Sequence, residues 1–371
     1  MLKTITRAAF IALWAAFLFL PFKGIRAAGM LFVVLWFAIP LISLMALFIR
    51  SFLKKIDIDK HINRLVPPDR RYLLALLLPV LIVPLFVRNY ILDVAILAGI
   101  YIILALALNV VVGFAGLLNL GFVAYYAIGA YSFALLNTKA GLGFWASMPL
   151  SVVITTAAGF LFAVPALRLK GDYLALVTLG FGEIVRITLN NWDSFTNGPN
   201  GIGGISAPAV FGFTLGTLST YYYLVLFFAL LAVFVMWRVQ KSKVGRAWTA
   251  IREDEIAAAA MGIQTIRYKL YSVAFGAFWA GLAGCLFASK MRFISPESFT
   301  FMESVLILSM VILGGLGSIA GVVVGALFLV ALPEVLREVQ MYRMLALGAG
   351  IVLLMIFRPQ GLFGGRLASR G

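Results

Sequence analysis

One cysteine, Cys285, and one histidine, His61, are all that 371 residues provide of either type. A single thiol excludes an internal disulfide, and Cys285, set in an apolar run, is expected to pack as a small hydrophobe. A lone histidine excludes a multi-histidine metal site within this chain. The sequence has no Gly-x-x-x-x-Gly-Lys-Ser/Thr loop, no His-Glu-x-x-His and no Gly-x-Ser-x-Gly. It therefore lacks the local signatures of phosphate binding, zinc-dependent proteolysis and serine hydrolysis. Charge is scarce too: 12% of residues are Asp, Glu, Lys or Arg, against about 25% in an ordinary soluble domain.

What fills the chain is apolar, 63% of it. A soluble fold of this length leaves roughly a quarter of its unfolded surface wet, so lipid must cover part of this one. Backbone groups in hydrocarbon need internal partners, which leaves helix bundles or closed barrels. Barrel strands alternate polar and apolar residues, whereas the runs here are continuously apolar for 16–23 residues, as from Ala27 to Ile49. That length suits a helix crossing a core about 30 Å thick. The expected fold is an all-α integral membrane protein, a polytopic bundle of about 10–12 segments. The runs cover 8–22, 27–49, 72–87, 91–112, 117–136, 145–167, 173–190, 221–238, 270–289, 302–332 and 342–357. The first resembles a signal peptide in its flanking Lys3 and Arg7, but no convincing small-x-small cleavage site follows, and it is read as a retained helix. The 302–332 run is too long for one crossing and is broken at Leu313-Gly314-Gly315-Leu316-Gly317-Ser318. It is expected to be a re-entrant hairpin that returns to the side it left.

A net charge of +16 in such a protein bears on orientation, not on nucleic acid. With the N-terminus cytoplasmic, 21 of 30 lysines and arginines fall on the cytoplasmic side and eight outside, with Arg186 inside a span. This is the positive-inside asymmetry, and it requires the hairpin to return. Both termini are then cytoplasmic. Two cytoplasmic stretches stand out: a basic loop at 50–71, and a loop at 239–269 reading VQKSKVGRAWTAIREDEIAAAAMGIQTIRYK. Within the second, Thr249 to Met261 is expected to form one amphipathic helix. Ala247, Ile251, Ala258 and Met261 share its apolar side, Arg252, Glu253, Asp254 and Glu255 are polar, and Gly262 sits at the C-cap. Spacing alone leaves two readings, a solvated interfacial helix or an element docking on a partner.

Residues 243–263, KVGRAWTAIREDEIAAAAMGI, resemble the coupling segment of the branched-chain amino-acid ABC permeases. Other stretches match the same family in order: LNVVVG at 108–113, LRLKGDYLA at 167–175, VTLGFGEIVR at 177–186, GPNGI at 198–202, SPESF at 295–299, GGLGS at 314–318 and FRPQGL at 357–362. The similarity spans about residues 90–364, and the long N-terminal part resembles the larger M-type subunit. The resemblance implies three regions: a two-helix extension with its basic loop (1–71), a permease core (72–364) and a short tail (365–371). It also implies a bacterial inner-membrane importer. This chain would pair with an H-type permease, dock two cytoplasmic ATPases and receive leucine, isoleucine or valine from a periplasmic binding protein. ATP and magnesium would be held by the ATPases, so this chain would need no cofactor and would itself be no enzyme. Carried onto this sequence, the docking segment is Gly245 to Gly262, with Gly245, Arg246, Ala247, Arg252, Glu253, Asp254, Glu255 and Gly262 as its marked residues.

Polar groups inside the spans are few. Glu183 and Arg186 lie three apart on one helix face, either as a structural pair locking helices or as lining where a zwitterion passes. Asn109 and Asn119 flank a break at Gly113-Phe114-Ala115-Gly116, which either opens a pathway or serves close packing. The same alternatives hold for Gly314 and Gly315, while Tyr125, Tyr126 and Thr178 are hydroxyls available to a lining. Two rival functions remain: a permease for urea or short amides, and an ion-coupled secondary transporter, which usually carries acidic relays deep in the membrane.

Overall fold

A computed structural model describes Pro84 and residues 89–167, 169, 171–210, 213–214, 216–335, 348 and 352. The expected N-terminal helices, the 50–71 loop, the runs at 72–87 and 342–357, the tail, Arg168 and Lys170 lie outside the described residues.

The described chain is helical through most of its apolar runs. Helix α1 (Asn89–Leu108) runs on as a π-helix, Asn109–Phe114. Then come α2 (Val123–Thr138), α3 (Phe144–Ala166), α4 (Asp172–Asn191), α5 (Leu218–Gln240), the short α6 (Lys243–Glu253) and α7 (Glu255–Ala260), α8 (Thr265–Met291), α9 (Phe301–Gly314) and α10 (Ile319–Val335). Among the described residues five helices are long and apolar enough to cross a membrane, and α10 is a shorter apolar one. At about 1.5 Å per residue, α8 spans about 40 Å, more than a hydrocarbon core.

Helix α1 has no polar stripe, and a helix that is apolar all round belongs in the middle. Ile96, Ile100, Ile103, Leu104 and Leu108 are fully buried, and α5, α8, α9 and α10 pack around it. Helix α8 is built for close approach: its Gly281 meets Gly129 of α2 and Thr155 of α3, and its Gly284 meets the backbone of Tyr126 and Ala130. Small residues at crossings are how membrane helices gain packing contact. Outward faces stay greasy, with Val153 and Leu161 of α3 and Phe227 and Phe234 of α5 well exposed, as lipid or subunit contact requires.

The long run at 302–332 is a hairpin. Helices α9 and α10 meet antiparallel through Gly314 against Gly321 and Gly325 against Met310, and the turn passes through Gly315 (φ +107°) and Gly317 (φ +82°), a left-handed path suited to glycine. At 14 and 17 residues the two arms are about 21 and 26 Å long. At the end away from residues 239–269, the GPNGI segment meets the SPESF segment. A two-residue strand β1 (Ile202–Gly203) pairs antiparallel with β4 (Phe293–Ile294), and a second small pair joins β2 (Ala209–Val210) to β3 (Phe213–Thr214). Here Lys290, almost buried, pairs with Asp93 at 3.0 Å, and Tyr101 donates to Glu303 at 2.7 Å.

The run expected at 117–136 is shorter as a helix. Residues 115–122 are not helical, and α2 begins at Val123. Gly116 takes φ +72°, and the non-helical stretch beyond it runs through protein, with Leu117, Asn119, Gly121 and Phe122 buried.

Candidate functional site

The 239–269 segment folds as two helices, not the single one expected over 249–261. Ser242 caps α6 by accepting from the Gly245 amide at 3.3 Å. A side chain at Gly245 would stand 2.3 Å from the Val239 carbonyl oxygen, so glycine lets α6 turn tightly off the end of α5. Helix α6 stops because Asp254 is extended (φ −155°, ψ 110°) and its carboxylate accepts from the amides of Ile256 and Ala257, at 2.8 and 3.0 Å. That is an N-cap for α7, so the aspartate expected on a polar face instead divides the helix. Gly262 (φ +86°) closes α7, with its amide on Ala259 and the Ile263 amide on the Ala258 carbonyl, a Schellman ending.

Ala247, Ile251 and Ala258 are buried against the membrane helices, together with Trp248, whose indole donates to the Tyr268 carbonyl at 2.7 Å. Met261, expected on that side, is turned out, 83% exposed, beside Ile256 at 79%. The Schellman turn carries it away from the inward face. Glu255 pairs at 2.6 Å with the buried Lys269 at the start of α8, Arg246 donates to the Lys241 carbonyl at 3.0 Å, and Glu253 is exposed.

Arg252 has a partner far away in sequence. It lies open along one side, yet its guanidinium Nη1 donates to the carbonyl of Gly113, in the π-helical end of α1. In the same place the Asn109 side-chain oxygen accepts the Gly317 amide from the hairpin turn at 2.9 Å. Three elements therefore converge: the broken end of α1, the α9–α10 turn and α6. Past the break, Leu120 donates to the Thr178 hydroxyl at 3.1 Å, and the Gly121 amide to the Asn119 side chain at 3.1 Å. Gly121 lies directly on the Thr178 carbonyl and Gly182 of α4. Irregular backbone at membrane depth is tolerated only when such partners exist.

Two adjoining spaces follow this irregular stretch. A cleft of about 220 Å³ opens between Gly116, Leu118, Asp172, Ile251, Arg252 and Lys269. A chamber of about 20 Å³ lies next to it, lined by Asn119, Tyr125, Thr178, Ala163 and Val273 among others. Leu117, Leu118 and Leu174 wall both.

Of the candidate pathway residues, Asn119, Tyr125 and Thr178 share the chamber, and Asn109 sits at the convergence. Tyr126 lies elsewhere, packed among Phe287 and Phe299 with ring centroids 5.4 and 5.1 Å away. Gly314 and Gly315 shape the hairpin, the first by packing on Gly321 and the second by its positive φ. Arg186 and Glu183 do pair, at 2.9 Å, but within one helix and with each side chain 32% exposed, so the pair joins turns of α4 and not two helices. Sequence reasoning missed Trp248, Lys269 and Ser304, whose hydroxyl takes the first amide of α2 at 3.0 Å. A tryptophan in a polar loop and a lysine at the edge of a span were the available signals.

Comparison with known proteins agrees with this architecture. Residues 90–357 match the family described as branched-chain amino acid transport system / permease component. The chain is 48% identical over 317 residues to the high-affinity branched-chain amino acid transport system permease protein LivM of Salmonella typhimurium, covering 79% of this chain and 75% of that one. The Escherichia coli K12 LivM matches to the same extent, and LivH of E. coli K12 is 27% identical over 288 residues, 72% of this chain and 92% of its own length. No solved structure matches. With the family match spanning the described bundle, the 239–269 helices and the hairpin, the chain belongs to the permease-component family of branched-chain amino acid transport systems.

Proposed function

We propose that this chain is a membrane permease subunit of an ATP-driven importer that carries leucine, isoleucine and valine across the bacterial inner membrane. The substrate class comes from the relatives at 48% identity, whose names specify branched-chain amino acids. The observation that carries the mechanism is the 239–269 segment. Two capped helices, anchored by Trp248 and by the Glu255–Lys269 pair, turn Ile256 and Met261 outward. A rigid element with an exposed apolar tip suits seating in a groove of another protein, and force from a separate motor needs such an element to enter the bundle. Gly245, Arg246, Ala247, Glu253, Asp254 and Gly262 shape or border it.

The chain has no phosphate loop of its own, so two cytoplasmic ATPases with bound ATP and magnesium supply the energy. A second, H-type permease pairs with this one, and a periplasmic protein delivers the amino acid. The charge asymmetry supports a cytoplasmic position for the 239–269 segment, and the antiparallel arms of the hairpin agree with the return that this count requires. The pathway then follows the irregular stretch past Asn119, Tyr125 and Thr178, whose few hydroxyls and amides guide a small zwitterion without holding it. An ion-coupled mechanism finds less support, because Glu183 is committed to Arg186 and Glu303 to Tyr101.

Affinity purification of this chain from gently solubilised membranes tests the proposal. Native mass spectrometry is expected to find one further permease and two ATPase subunits bound to it. Recovery of a transporting assembly that holds no ATPase would refute it.

A further inference from the structure

The guanidinium of Arg252, though the residue is open along one side, reaches the Gly113 carbonyl of the bundle, and this gives the residue a role that docking does not describe. The last four carbonyls of a helix lack intrahelical donors and carry the negative end of its dipole. The carbonyl of Gly113 is one of these, at the broken end of α1, and Arg252 donates to it. Two glycines make room for the side chain. A Cβ at Gly116 would lie 2.9 Å from Arg252 Cγ, and one at Gly317 would lie 3.2 Å from Arg252 Nη1. Both also need positive φ, at +72° and +82°. The Asn109 amide holds Gly317 against the same turn of α1.

We propose that Arg252 is a positioning residue: it caps the broken end of α1 from the α6 helix, while Asn109 ties that end to the α9–α10 turn, so that displacement of the 239–269 segment moves both broken elements together. Loss of the cap leaves the segment able to move without carrying the membrane elements along. The inference rests on the ATP-driven reading above, since the displacement is attributed to the ATPases.

The test uses the complete assembly in proteoliposomes, with ATP hydrolysis and leucine uptake measured side by side. Wild-type uptake that needs no ATP would defeat the functional reading and not this one. Given ATP-dependent wild-type uptake, Arg252→Ala is expected to keep its ATPases bound and hydrolysing while hydrolysis per leucine transported rises about tenfold or more, the effect of losing one charge-assisted hydrogen bond. Arg252→Lys, which keeps the charge but offers a compact point donor, is expected to restore part of the coupling. A wild-type ratio in Arg252→Ala overturns the proposal, and so does loss of bound ATPase from an otherwise intact permease pair, which would make Arg252 a docking contact. If Arg252→Ala does not assemble, Asn109→Ala carries the test. It cuts the hydrogen bond to Gly317 from a fully buried position that no docked protein can touch; a raised ratio supports the link and an unchanged one overturns it.

Discussion

Alanine at Gly284 is predicted to force α8 away from α2. A Cβ there would lie 2.4 Å from the Tyr126 carbonyl oxygen and 2.7 Å from the Ala130 amide nitrogen. On the other side of the seam, a Cβ at Gly129 would lie 2.5 Å from both the Cα and the oxygen of Gly281. The obstacles are backbone, so no side chain can rotate clear. Ordinary contact needs about 3.5 Å, so the helices must part by about 1 Å, and a gap of that size forfeits roughly a quarter to a half of each dispersion contact it opens. Overpacking of this kind costs about 1–3 kcal/mol. One separation relieves both clashes, so the double variant is expected to cost little more than the worse single one, as neighbouring sites that share a shift do not add. Gly180→Ala on α4 is the control, because nothing lies within 4 Å of its Cβ. Unfolding of the purified chain in mixed micelles, titrated with a denaturing detergent, reads the differences. Equal stability for Gly284→Ala and Gly180→Ala, or strict additivity of the pair, would refute the argument.

Other outcomes follow from the same structure. Thr178→Val removes the acceptor of the Leu120 amide and is expected to destabilise the chain by about 1–3 kcal/mol, with Thr178→Ser near wild type, in the same micelle titration. Glu183→Gln is expected to change stability by no more than about 0.5 kcal/mol, because the pair lies within one helix and is partly exposed. Any uptake it loses should return in the Glu183→Arg, Arg186→Glu double variant, and no rescue would mean that the two act separately. Met261→Cys, at a position 83% exposed, is expected to react with a membrane-impermeant maleimide from the cytoplasmic side only. The buried Cys285 should give no background, and labelling from outside would reverse the orientation.

Much of this architecture was legible in the sequence because the bilayer imposes simple demands. Apolar runs at 145–167, 173–190, 221–238 and 270–289 became helices with ends shifted by one to five residues, and the glycines at 314–317 marked a real turn. The Gly113–Gly116 break was visible as well. Its form was not: it is a π-helix whose Asn109 and Gly113 are met by residues 208 and 139 positions away. Arg252 illustrates the limit. Its neighbours Glu253, Asp254 and Glu255 make it look like one member of a polar face, and nothing local reveals that its partner is a backbone carbonyl. The division of the expected 249–261 helix was more readable, since an aspartate before Glu-Ile-Ala-Ala is an N-cap signal. The GPNGI and SPESF motifs could be matched to the family, but that Ile202 of the first pairs with Ile294, just ahead of the second, required the fold.

The most direct measurement is leucine uptake by the reconstituted assembly under two challenges, withdrawal of ATP hydrolysis and collapse of ion gradients. Uptake is expected to stop when a non-hydrolysable analogue replaces ATP and to continue when an ionophore is added. Uptake that persists without hydrolysis and fails with the ionophore would contradict the account.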